Sequence, residues 1–189
     1  MTPDPFELLA QWLPANDAPE RPLMTLATVS ADGWPNARTV LLSEWSAEGF
    51  AFHTDARSRK IAEVDATGRA ALMIPLFSEE ASRQLVVQGT VEAVEPEEEA
   101  TVFAARPAYL QTLAWLNTPE FAALPDAERV ERWASFQREN PAPAPPQTWT
   151  GRRVRPQRLL FWTGTPDTAS RRVSYTRSGT GWTVEILAG

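Results

Sequence analysis

The chain has 189 residues, 43% of them hydrophobic and 22% charged, with a net charge of −6, one histidine and no cysteine. This is an ordinary globular composition, long enough to bury a core without a disulfide or structural metal. It excludes disulfides, thiolate chemistry, cysteine-ligated zinc and histidine-rich metal sites, leaves redox chemistry to an organic cofactor or haem, and argues against general nucleic-acid binding.

The amino terminus, MTPDPFELLAQWLPAND, carries early acids and no basic n-region, unlike a signal peptide. No apolar run approaches the roughly 18 residues of a membrane span, and a cytoplasmic protein is expected. Residues 6–13 show apolar positions at helical spacing, placing an N-terminal helix within 1–20. Residues 22–30 and 36–45 read as strands joined across Asp32-Gly33, a strong hairpin signal. GFAFHT is a third short strand, and SRKIAEVDATG is a helix closed by Gly68. RAALMIPL is a strand whose Pro75 marks an edge or bulge. RQLVVQGTVEAVE is a longer strand, with a bulge or bend at Gly89.

The period then changes to that of helices over 96–140, where two segments open on proline and acids. PAPAPPQ is a stiff connector. Residues 147–189 return to strands. The expected fold is mainly β with α: one domain over 1–189, an antiparallel barrel or sandwich with flanking helices. The strands do not alternate with helices and no GxGxxG is present, which argues against a doubly wound nucleotide fold.

FHTDARSRK places His53, the lone histidine, and Lys60, the lone lysine, on either side of Arg57 and Arg59. Arg59 and Lys60 fall in the first turn of the helix, where free N–H groups and the positive dipole end suit a phosphate. Thr54 adds a hydroxyl. Cations there are unfavourable by about 0.3–1 kcal/mol unless an anion neutralises them. A second reading pairs these cations with Asp55 or Glu63. Arg38 opens an apolar strand and can face Thr54 if the two strands pair; otherwise it is an edge charge that discourages aggregation. From Gln147 onward seven arginines face only Asp167 and Glu185, an excess that suggests a local anion site or a fringe of solubilising charge.

Taken in order, MTLATV, ADGWPNARTVLL, FHTDARSRK, RAALMIPL, RQLVVQGTVE, FAARP, PPQTWTGRRVRPQRLLFWTG and RRVSY…GWTVEIL resemble the pyridoxamine 5′-phosphate oxidase family over nearly the whole chain. The resemblance implies an FMN-binding split β-barrel, a homodimer with FMN at the subunit interface, and hydride transfer between a small substrate and the flavin. It implies flavin contacts at Arg38, Thr39, Val40, Leu41, Leu42, Thr54, Arg59, Lys60, Gln84, Trp149 and Arg172. His53 stands where the family has a tyrosine and is placed with them. No catalytic acid or base and no metal ligand is implied.

The substrate region departs from the pattern. The family's substrate-phosphate cage of lysine, tyrosine, arginine and serine falls on Ser43, Val102, Arg106 and Leu110, and only the arginine is kept. An arginine–leucine–histidine run over the substrate ring is replaced by TAS, leaving Thr168 and Ser170. A glutamine–serine pair falls near Pro119 and Glu120. The expectation is therefore retained FMN and an altered, more apolar substrate site. The alternatives are a non-catalytic FMN carrier or sensor, or a barrel that binds haem, through His53, or a deazaflavin.

Overall fold

The computed structural model describes residues 4–78 and 81–189. In chain order its elements are α1 (Pro5–Trp12), β1 (Leu23–Val29), β2 (Pro35–Leu41), β3 (Glu44–Ser46), β4 (Gly49–Asp55), α2 (Arg59–Thr67), β5 (Arg69–Phe77) and β6 (Ser82–Ala93). There follow α3 (Pro96–Ala104), α4 (Ala108–Leu116), α5 (Pro119–Ala122), α6 (Asp126–Glu139), β7 (Trp149–Thr165), β8 (Thr168–Ser178) and β9 (Gly181–Ala188).

The strands form one antiparallel sheet in the order β2-β1-β5-β6-β7-β4-β3, with β8 on the second half of β7 and β9 on β8. The 17-residue β7 is the hub: its first part pairs with β4, its second part with β8, and β6 pairs with it from Arg152 to Gly164. The chain passes from β2 through Leu42 and Ser43 into β3, bringing the two ends of the sheet together without closing them. The result is a split β-barrel.

Alternation fixes which face is the core. Met24, Leu26 and Thr28 of β1, Leu72 and Ile74 of β5, Leu85 and Val87 of β6, and Leu159 and Phe161 of β7 are all buried on the inner face. α1 seals one end through Leu9 and Trp12, whose ring meets Phe161 edge-on at 5.1 Å. Asp4 caps α1 through the Phe6 N–H, and the helix ends at Trp12 before Pro14, so the helical part of 1–20 is much shorter than that range; residues 1–3 lie outside the described residues.

The hairpin at Asp32-Gly33 forms as expected, with Val29 opposite Pro35. α2 ends at Gly68 in the left-handed region. The register between β6 and β7 shifts at Gly89, and Gln157 is the extra residue; a Cβ on Gly89 would lie 1.9 Å from the Arg155 carbonyl oxygen. Pro75 does not end its strand. β5 continues to Phe77 against β6, while its pairing with β1 runs only from Ala71 to Met73, so the missing N–H falls on a locally free edge. The 96–140 region is helical but broken three times, before α4 at Pro107, before α5 at Thr118 and before α6 at Pro125. Among the described residues no helix is long and apolar enough to cross a membrane.

Candidate functional site

β2, the end of β4 and the start of α2 converge on a cationic cluster. Arg38 lies directly opposite Leu26, hence on the inner side of β2, where Asn36 and Val40 also point. Its Nη2 pairs with Glu63 Oε2 at 2.7 Å, and its Nη1 reaches Thr28 Oγ1 at 2.5 Å and the Leu26 carbonyl at 3.2 Å. Arg59 Nε lies 3.4 Å from the other Glu63 oxygen, one helical turn away. Lys60 Nζ donates to Thr54 Oγ1 at 3.1 Å. Burial, and next the nearby Arg38 charge, hold the Lys60 ammonium below its ordinary pKa.

Arg38, Thr54, Arg59 and Lys60 are therefore brought together, and the reading that paired the cations with acids holds in part. Arg57 turns away to Asp55 at 2.7 Å, while Arg59 takes Glu63. Ser58, at the N-cap of α2, makes no capping bond, and its Oγ is buried without a hydrogen-bond partner. A buried hydroxyl with no partner is costly, and here it stands at the helix end whose first N–H groups have no intrahelical acceptor. Three cations, two hydroxyls and a helix N-terminus form a donor set that fits a phosphate. Glu63 enters as the acid of the second reading, and Ser58 is new to the site; a serine just before an expected helix start is its signal in the sequence.

A second cluster forms on the other side of β4. His53 and Thr54 are adjacent in a strand and so face opposite ways. His53 is buried and stacked on Trp149 at 5.3 Å, and its Nδ1 lies 3.0 Å from Ser43 Oγ. Arg106 Nη2 donates to the same hydroxyl at 3.0 Å and lies over the Trp149 ring at 4.4 Å. The Trp149 indole N–H reaches the Glu99 carbonyl at 3.2 Å, and Phe103 meets its ring edge-on. Burial above all, reinforced by Arg106 and Arg153, pushes the His53 pKa down to about 3, so the imidazole is neutral. Burial likewise lowers Arg106 to about 10.

Two expectations change here. His53, counted among the flavin contacts, does not face the phosphate cluster: Thr54 shares the core side of β4 with Phe50 and Phe52, and strand parity turns His53 to the opposite side, onto Trp149. Nor is it open to a haem iron: its Nε2 is buried against Gly151, where an added Cβ would lie 2.7 Å away. Ser43 and Arg106 are brought together, but no hydrogen bond or ring contact links them to Leu110 or Ser170. Leu110 lies in the first turn of α4, and Ser170 on β8 accepts from the Gly189 N–H through its carbonyl.

A third grouping lies on the outer face of the sheet. Gln84, Trp162 and Arg172 are directly opposed across β6, β7 and β8, so their side chains form one row. Trp149, counted with Gln84 and Arg172 among the flavin contacts, lies at the far end of β7 opposite Asp55, and the tryptophan opposite Gln84 is Trp162. Thr39 and Leu41 of β2 also face outward, whereas Val40 and Leu42 face the core. On the same outer face a cavity of about 1100 Å³ is lined by Ala27, Ala71, Gln88 and Arg158, which form a parallel row. Arg38 and Trp162 thus stand on opposite faces of one sheet.

Comparison with known proteins agrees with this architecture. The family described as pyridoxamine 5′-phosphate oxidase matches residues 15–140, and a pyridoxine 5′-phosphate oxidase C-terminal dimerisation region matches residues 149–189. The chain is 37% identical over 186 residues to a pyridoxine/pyridoxamine 5′-phosphate oxidase of Rubrobacter xylanophilus, covering 95% of this chain and 84% of that one. It is 38% identical over 191 residues to the enzyme of that name from Bordetella petrii, covering 97% and 89%. Among solved structures it is similar to PhzG from Burkholderia lata 383, in complex with tetrahydrophenazine-1-carboxylic acid, with a TM-score of 0.77, 22% identity and 98% and 93% of the two chains covered. It is also similar to a pyridoxamine 5′-phosphate oxidase-related, FMN-binding protein from Nostoc punctiforme, with a TM-score of 0.71, 17% identity and 99% of each chain covered.

Proposed function

The chain belongs to the pyridoxamine 5′-phosphate oxidase family, and from that premise we propose that it is an FMN-dependent oxidoreductase acting as a homodimer on a substrate other than a B6 phosphate. The single observation that carries the cofactor is the cluster of Arg38, Thr54, Arg59 and Lys60 at the start of α2, whose N-cap residue Ser58 has a buried hydroxyl without a partner. These residues would hold the FMN phosphate. When bound, FMN supplies the hydride acceptor at its N5. Gln84, Trp162 and Arg172 would contact the ring, with the arginine charge favouring a reduced, anionic flavin.

The matched dimerisation region supports the dimer, and the placement of the two residue groups agrees with it. The phosphate cluster faces the inner side of β2, and the Gln84–Trp162–Arg172 row faces the outer side of β6–β8. The two groups stand on opposite faces of one chain's sheet, so a homodimer in which one chain supplies the phosphate cluster and its partner the Gln84–Trp162–Arg172 row would complete the site.

The second cluster supports the altered substrate. Arg106, the one cation kept from the substrate-phosphate cage, is occupied by Ser43 and the Trp149 ring, and Val102 contributes a buried apolar side chain. Each missing charged hydrogen bond to a phosphate costs about 1.5–3 kcal/mol, so several together weaken a phosphorylated substrate by orders of magnitude. Arg106, Ser43 and Trp149 would orient a substrate with at most one negative charge.

The test combines release and turnover. Heat-released small molecule is identified by absorption and mass, which separates FMN from a deazaflavin or haem. Arg59→Ala/Lys60→Ala then lowers FMN affinity by about 100-fold or more. Pyridoxamine 5′-phosphate with oxygen is turned over slowly if at all. Unchanged FMN affinity in the double variant refutes the cofactor site, and brisk pyridoxal phosphate formation refutes the altered substrate.

A further inference from the structure

We propose that Glu63 is the positioning residue of the phosphate clamp: one buried carboxylate gathers Arg38 and Arg59 and sets the clamp's net charge to match a phosphate dianion. This rests on the FMN reading above.

Glu63 is 5% exposed and sits one turn into α2. It accepts hydrogen bonds from Thr28 Oγ1 of β1 at 2.5 Å and from Asn36 Nδ2 and Arg38 Nη2 of β2 at 2.8 and 2.7 Å, and forms an ion pair with Arg59 Nε of its own helix at 3.4 Å. A buried carboxylate is tolerated only when fully paired, and this one is paired on both oxygens. The Thr28 hydrogen bond foremost, together with Arg38 and against the opposing effect of burial, holds its pKa below the ordinary value. Glu63 is therefore ionised wherever the clamp is needed.

The geometry has a consequence for Arg38. Its Nη1 and one Nη2 bond are fixed on Leu26, Thr28 and Glu63, while its Nε–H has no acceptor among the described residues. The guanidinium is locked by one edge and presents the other. Arg59 is drawn to the same carboxylate from the opposite side. Without Glu63 the two cations, 21 residues apart in sequence, would repel and separate. The charge balance points the same way. Arg38, Arg59 and Lys60 carry three positive charges, Glu63 removes one, and a phosphate monoester carries about −1.5 to −2 at neutral pH.

The test measures FMN and riboflavin affinity by flavin fluorescence in wild type and Glu63→Gln, at one ionic strength, with thermal unfolding followed alongside. Wild type prefers FMN. The variant is expected to lose FMN affinity by about tenfold or more, with riboflavin affinity within about twofold. Pure charge counting predicts the opposite sign, because removing the carboxylate makes the clamp more positive; tighter or unchanged FMN binding overturns the proposal. Equal loss for both ligands marks a structural role and also overturns it. If Glu63→Gln does not fold, Asn36→Ala removes one bond to the carboxylate without touching a cation. It is expected to cost FMN about threefold and riboflavin nothing, and equal affinities overturn the proposal. A wild type that binds riboflavin as well as FMN defeats the clamp itself, and is told apart because the failure precedes any substitution.

Discussion

His53 makes the protein acid-sensitive by a calculable amount. Its imidazole is buried among Ser43, Arg106 and Trp149, and burial with the two neighbouring arginine charges lowers its pKa from 6.5 to about 3. The unfolded chain takes up a proton near pH 6.5 and the native one does not, so the unfolded state binds more protons between these values. The histidine's contribution is thus fully present above pH 6.5 and is lost as pH falls toward 3. Integrating the linkage relation from pH 7.5 to 5.0 gives a loss of about 2 kcal/mol. The figure changes little if the native pKa is 4 rather than 3, because at pH 5 the native imidazole is neutral in either case. Chemical denaturation at pH 7.5 and 5.0, at one protein concentration, compares wild type with His53→Phe, which keeps an aromatic ring against Trp149 but cannot titrate. The variant is expected to be less stable at pH 7.5, having lost the bond to Ser43, yet to lose about 2 kcal/mol less than wild type on acidification. Equal acid losses in the two proteins would mean that the native imidazole is protonated, and the neutral, buried His53 would have to be abandoned.

The two tryptophans of β7 separate ring contact from packing. Trp162→Ala is expected to weaken FMN binding by about tenfold and alter the flavin absorption envelope with little change in stability, since the side chain is only half-buried. Trp149→Ala removes a nearly buried ring held by His53, Phe103 and Arg106 and is expected to cost about 3–5 kcal/mol, read by denaturant midpoint. Gly89→Ala places a methyl 1.9 Å from the Arg155 carbonyl oxygen, so the bulge must open, at a cost on the order of 1–3 kcal/mol. Gly68→Ala is expected to be milder: no atom lies within 4 Å of the added carbon, and only the left-handed backbone resists it, at about 1 kcal/mol.

Features that depend on neighbouring residues could be read from the sequence. The turn at Asp32-Gly33, the helix stop at Gly68, the irregularity at Gly89 and the inward alternation of β1 each follow from a few consecutive side chains. So did the meeting of Arg59, Lys60 and Thr54, because all three lie within seven residues spanning one strand end and one helix start. Parity within β4 was equally available: a residue next to Thr54 must face the other way, so His53 stands apart from the phosphate cluster. Pairing between distant segments was not available. Glu63 reads as an exposed partner of Arg59 at helical spacing, and only Thr28 and Asn36, 35 and 27 residues away, reveal it as buried. Trp149 and Trp162 lie on the same strand, and nothing in their local sequence says which one opposes Gln84. That is decided by the β6–β7 register, which is set by twelve paired positions and one bulge. A one-residue slip would turn Trp162 inward and Phe161 outward, so the buried Phe161, edge-on to both Trp12 and Tyr175, fixes Trp162 on the open face. The outer half of the proposed flavin site is thus specified by the packing of the core behind it.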